Sequence, residues 1–201
     1  MTIGAVLQAM GTRDLRASLR AVVEKVVAGS PVICLKDGQP LAVMISHEEA
    51  ERWRKIEDSL ATLHALGVYP EALADPSELA DLASLKQPDL ATIRRLTSEP
   101  RAILSPLRTK GVSDARAAFA TLLAEVAQGR VRTIVAGGRL AVAVIPASEY
   151  DRLRALARVV SWFRGAGLDL ATATEQQIIE FVRSRRDMAA GAGKKSVPAS
   201  A

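Results

Sequence analysis

The sequence predicts an α+β protein made of two similar units, each a helix, a β-hairpin and a second helix followed by an extra C-terminal helix, packed together within one chain. Three observations lead there. Adding 100 to the numbers of the stretch from Gly11 to Gly67 lands on a second stretch of the same design, with about a dozen identities that include Asp14/Asp114, Arg16/Arg116, Gly29/Gly129, Gly38/Gly138, Ile45/Ile145, Glu49/Glu149 and Arg52/Arg152. Within each copy the apolar residues recur first at helical spacing and then in short β-branched runs. A repeat of about 75 residues is marginal alone, so the copies are expected to pack as an intramolecular pseudo-dimer, as two chains would across a two-fold axis. The expected boundaries are 1–87 for the first repeat and its helical extension, 88–105 for a linker, 106–190 for the second repeat and extension, and 191–201 for a disordered tail rich in Gly, Ser, Lys and Pro.

Each element has a local reason. A short apolar segment, Ile3 to Leu7, precedes a helix from Thr12 to about Val27, in which Leu15, Leu19, Val22 and Val26 fall on one face. Gly29 ends that helix and Pro31 prevents its continuation. Val32 to Leu35 and Leu41 to Ile45 flank Asp37-Gly38, a dipeptide suited to the mirror-image turn of a hairpin, as Thr133 to Val135 and Ala141 to Ile145 flank Gly137-Gly138. Ser46-His47-Glu48-Glu49 then reads as a capping box for a helix from Glu49 to about Leu66. The second copy has Pro146 in place of the serine, and its helix is expected from Glu149 to about Ala166. Asp75-Pro76-Ser77-Glu78 and Thr174-Glu175-Gln176-Gln177 open the helical extensions. Pro88, Pro100 and Pro106 bracket a short helix in the linker.

Composition narrows the function. The chain has 201 residues, 49% hydrophobic and 24% charged, as in an ordinary soluble globular protein; 3% aromatics leave few rings on which single-stranded nucleic acid could stack. One cysteine, Cys34, forms no intrachain disulfide and reads as a small buried hydrophobe. With no leader and no apolar run of membrane-spanning length, a cytoplasmic address without membrane association is expected. Net charge is +5, unevenly spread: Lys+Arg against Asp+Glu is 8 to 6 in residues 1–55, 4 to 8 in 56–105, 9 to 4 in 106–160 and 6 to 4 in 161–201. Basic cores joined by an acidic segment suit a polyanion on one surface and a different partner on another.

The candidate site follows from the first helix. Arg13, Arg16 and Arg20 stand at i, i+3 and i+7, opposite the apolar stripe, where they can meet phosphates and, by two-pronged hydrogen bonding, guanine edges in a major groove. A solvated face with Arg20 paired to Glu24 is the plain alternative. No His/Cys spacing suits zinc, no nucleophile–base order or phosphate-cradling loop is present, and Glu48, Glu49 and Glu51 read as helix-start acids, so neither an enzyme nor a metal or cofactor site is expected. Trp53 and Trp162 read as core or interface anchors, and Arg183, Arg185, Arg186, Lys194 and Lys195 as a basic C-terminal patch.

Arg13 to Leu19, Ala28 to Ile33 and Lys36 to Glu49 together resemble the Phd/YefM antitoxin domain over residues 1–55, and the resemblance returns over about 103–155 through Ser113 to Ala117 and Gly137 to Val142. It implies a small α/β fold that dimerises through its sheet, sets paired first helices on an operator, represses transcription and holds a toxin with a C-terminal extension. By that pattern Arg16 and Arg116 take the place of the family's helix-opening arginine, supported by Thr12, Arg13, Lys110 and Ser113, with Arg20 added from its place on the basic face of the first helix. A fused pair departs from the single-copy pattern, and Ser113 and Ala120 stand where the first copy has Arg13 and Arg20, so the halves need not read the same bases. The expected function is a double-stranded-DNA-binding repressor or chromosome-binding factor, as a monomeric pseudo-dimer or a dimer of it. The alternative is an interaction module whose helical extensions bind a toxin or another protein.

Overall fold

Leu41-Ala42-Val43-Met44-Ile45 is apolar at every position, the pattern of a strand covered on both faces. In the computed structural model, which describes residues 7–66 and 109–192 with side chains to residue 187, this run is the centre of a mixed sheet. The described elements are β1 (Gln8–Gly11), α1 (Thr12–Ala17), α2 (Leu19–Val27), β2 (Val32–Lys36), β3 (Gln39–Ser46), α3 (His47–Ala65), β4 (Thr109–Gly111), α4 (Val112–Ala117), α5 (Phe119–Ala127), β5 (Arg132–Ala136), β6 (Arg139–Pro146), α6 (Ala147–Gly165) and α7 (Glu175–Ala192). The protein is therefore α+β, with one six-stranded sheet in the order β1-β2-β3-β6-β5-β4 and seven helices among the described residues. From α1 to α3 every boundary recurs in the second copy at an offset of 100.

The chain divides into two compact units, Met1–Arg54 with Ala102–Leu153 and Lys55–Arg101 with Arg154–Ala201. The first holds the sheet. Its hairpins close with Asp37 (φ 52°) and Gly38 (φ 79°), and with Gly137 (φ 58°) and Gly138 (φ 74°), the paired positive φ values of the expected turn. Asp37 is the one non-glycine among them, and aspartate tolerates that region better than most residues.

β3 and β6 pair antiparallel in a symmetric register: Ala42 meets Pro146, Ser46 meets Val142, and Met44 meets Val144, its own counterpart in the repeat. On one face of the sheet Val32, Cys34, Ala42 and Met44 join Ile134, Val142 and Val144 in a single core with the buried stripes of α2 and α5. Leu15, Leu19, Val22 and Val26 are all buried, as their spacing predicts, each worth about 1.5–3 kcal/mol relative to exposure. Val43, Ile45, Ala143 and Ile145 alternate onto the other face and are buried too.

Two features depart from the sequence reading. The first helix is not continuous: it breaks at Ser18 (φ −105°, ψ 19°) into α1 and α2. Ser18 Oγ donates to the Asp14 carbonyl at 2.7 Å, a bond that bends helices, but Ala118 breaks the second copy identically (φ −100°, ψ 29°) without a hydroxyl. The Ser18 hydroxyl is therefore not what sets the break, which both copies share. Second, each copy opens with a short strand: β1 pairs parallel with β2, and β4 with β5, so that α1–α2 and α4–α5 are the crossovers between parallel strands.

The second unit holds the ends of α3 and α6 together with α7. Phe163 is fully buried, with Trp162 at 4.8 Å edge-on and Phe181 at 6.0 Å between ring centroids. Ser59 Oγ donates to the Leu170 carbonyl at 2.8 Å. α7 starts on a reciprocal cap, Gln177 N donating to Thr174 Oγ1 at 3.3 Å and Thr174 N to Gln177 Oε1 at 2.9 Å. It runs to Ala192, two residues into the expected tail. The extension opened by Asp75, the linker and the remainder of the tail lie outside the described residues.

Candidate nucleic-acid interface

α1 and α4 are one and a half turns long, and Leu15 and Ala115 anchor them by burial. With that anchor fixed, Arg13 and Arg16 in α1, and Ser113 and Arg116 in α4, are left exposed, while Thr12 and Lys110 are half-buried. The symmetric β3–β6 register brings the two copies' helices together. Arg16 Nε donates to the backbone carbonyl of Arg116 at 3.1 Å, a contact between equivalent positions of the repeat.

That bond is one-sided. The Arg116 guanidinium has no hydrogen-bonded or ion-paired partner among the described residues, and neither does that of Arg13. Arg20 lies beyond the break at Ser18, in α2, and pairs with Glu24 at 3.3 Å. Arg13, Arg16 and Arg20 are therefore all exposed but shared between two helices, the first two in α1 and the third in α2. The Arg20–Glu24 pair is largely exposed on both sides and is held weakly. Lys25 is engaged by the Gln8 side chain.

Two exposed acids that the sequence reading gave no role stand in the same first turns. Asp14 and Asp114 complement the helix dipole, and their carboxylates fold back toward Gly11 and Gly111, where an added Cβ would meet them at 3.8 and 3.6 Å. Their identity in both copies was the signal available.

On the hairpin side the copies differ in burial of charge. Arg132 is buried in the second copy, its Nε donating to Glu125 at 2.6 Å and its Nη1 to the Val131 carbonyl at 2.8 Å; the first copy has Val32 and Lys25 at those positions. Glu49 N donates to Ser46 Oγ at 3.1 Å, the first half of the expected capping box. Burial raises the Glu49 carboxyl above its ordinary value, and the Trp53 hydrogen bond and the Arg52 charge pull it partly back. Glu149 instead binds Arg152 at 2.6 Å. Burial also pushes the Cys34 thiol up to about 11, as befits a hydrophobe rather than a nucleophile. Trp53 is buried and Trp162 is half-buried against Phe163. In the C-terminal patch Arg183 and Arg186 are exposed, Arg185 lies 5.5 Å over the Phe181 ring, and Lys194 and Lys195 fall outside the described residues.

Among the described residues no helix is long and apolar enough to cross a membrane. Comparison of the chain with protein-family models, with curated proteins and with solved structures returns no match.

Proposed function

We propose that the chain is a double-stranded-DNA-binding protein, a transcriptional repressor or chromosome-binding factor, in which two Phd/YefM-like units form an intramolecular pseudo-dimer. The observation that carries this reading is the meeting of Arg16 with Arg116 at equivalent positions, on helices related by a sheet register centred on Met44 and Val144. An internal two-fold that brings two exposed arginines together gives a cationic surface matching the approximate two-fold symmetry of a duplex.

The spacing sets how the duplex is approached. Arg16 touches the Arg116 backbone directly, whereas successive major-groove faces lie about 34 Å apart. The two helices thus address one stretch of groove rather than two separated half-sites. Lys110 and Thr12 flank them, and Asp14 and Asp114 oppose indiscriminate phosphate binding.

Fluorescence anisotropy of a labelled duplex at low salt tests the reading. Wild type should bind, and R16A/R116A should lose at least tenfold in affinity while keeping its circular dichroism. Unchanged affinity in the double variant overturns the site. Absence of duplex binding by wild type overturns the function and leaves the interaction-module alternative, in which the extensions hold a protein partner.

A further inference from the structure

Resting on the DNA-binding reading above, we infer that the chain recognises an asymmetric duplex sequence and binds it in one orientation, with the strongly specified arm facing the first copy. A symmetric backbone presents two different sets of side chains. Outward from the centre, the first copy offers Arg16, then Arg13 three residues away on the same exposed side of α1; the second offers Arg116, then Ser113. Three residues of helix span about 4.5 Å, little more than one base-pair step, so Arg13 and Ser113 address equivalent base pairs on either side of the centre. In α2 the exposed Arg20 likewise has Ala120 as its counterpart.

These substitutions change what can be read. A guanidinium donates two parallel hydrogen bonds to guanine N7 and O6 and discriminates against the other bases, whereas a serine hydroxyl donates to or accepts from several of them, and alanine makes no hydrogen bond to any. Arg13 has no carboxylate or carbonyl partner among the described residues, so its fork is available. The centre is unequal too. Arg16 is held by its Nε to the Arg116 carbonyl, and no reciprocal bond from Arg116 is made, so one guanidinium is positioned and the other is left to follow the phosphates. The equivalent position outboard of the centre should be guanine-specified in one arm and degenerate in the other.

Selection of full-length protein on duplexes carrying a random 20-base-pair tract, followed by sequencing, is the test. Wild type should enrich a site with one information-rich arm and one poor arm. S113R should convert the enriched site toward an inverted repeat of the rich arm and bind that repeat about tenfold more tightly than wild type does. R13S should strip the rich arm and leave the centre. The thermal midpoint of each variant, expected unchanged at these exposed positions, separates a reading effect from misfolding. An inverted repeat enriched by wild type, an enriched site unmoved by S113R, or duplex retained with no enrichment each overturns the asymmetry while leaving DNA binding intact. No duplex retained at low salt overturns the DNA-binding reading itself, and the asymmetry with it.

Discussion

The two copies reach the same backbone with different side chains, and where they differ separates what the fold requires from what it leaves free. In the core they differ by compensation. Leu15 and Leu19 in the first copy become Ala115 and Phe119 in the second, one side chain shrinking as the next grows, and all four are buried. Phenylalanine exceeds leucine by less volume than alanine falls short of it, so the exchange compensates in part, and the break between helices is kept with different core residues. On the exposed side the exchange is of a different kind. Arg13 and Arg20 give way to Ser113 and Ala120, and the charge the second copy gains nearby, Lys110 in place of Met10, is half-buried and lies before the helix rather than on its exposed side. Beneath the second copy, Val32 is replaced by Arg132 together with Glu125, a pair that must change as a unit because neither charge can be buried alone.

Transplanting residues between copies tests this directly. The largest effect should come from L15A, which installs the second copy's alanine without its phenylalanine. It should cost about 4 kcal/mol by chemical denaturation, and L15A/L19F should recover a part of that. E125A strands Arg132, with the Val131 carbonyl as its remaining acceptor, and should cost about 3 kcal/mol; E125A/R132V, which restores the first copy's valine, should recover most of it. Additive losses in either double variant would break the picture of local compensation.

Glu49 and Glu149 give a smaller, pH-dependent contrast. Burial lifts the Glu49 carboxyl above its ordinary value, so the fold favours the protonated form. The associated stability is complete below the unfolded carboxyl's pKa and is lost as pH rises through the folded one. E49Q should therefore be more stable than wild type at pH 7, with the gap closing as the pH falls below the ordinary glutamate range. E149Q should lose stability at pH 7, because Glu149 is held by Arg152 at 2.6 Å. Matching denaturation curves for the two variants would show that the difference in pairing is without consequence. The smallest effect concerns Cys34, whose thiol should alkylate at pH 8 far more slowly in folded than in denatured protein; equal rates would contradict its burial.

Much of the architecture was legible because local chemistry agrees with it. The buried Leu15/Leu19/Val22/Val26 stripe, the turns at Asp37-Gly38 and Gly137-Gly138, the Ser46 cap and the Thr174 cap all follow from side chains acting over a few residues. β1 and β4 were not legible. Gln8-Ala9-Met10-Gly11 has no strand pattern, and its conformation comes from parallel pairing with β2. The break at Ser18 and Ala118 was hidden because an uninterrupted apolar stripe fits a straight or a broken helix equally well. At the candidate site the residue types could be named, but not their arrangement. The Arg16–Arg116 contact depends on a strand pairing 100 residues apart, and its one-sidedness depends on side-chain packing at the centre.

The salt dependence of duplex binding tests the central claim most directly. Each phosphate neutralised contributes about 0.9 to the slope of log affinity against log salt concentration. With Arg16 and Arg116 both against the duplex, the slope of R16A/R116A should be shallower than that of wild type by about 2. Equal slopes for the two proteins, or a wild-type affinity indifferent to salt, would contradict the account.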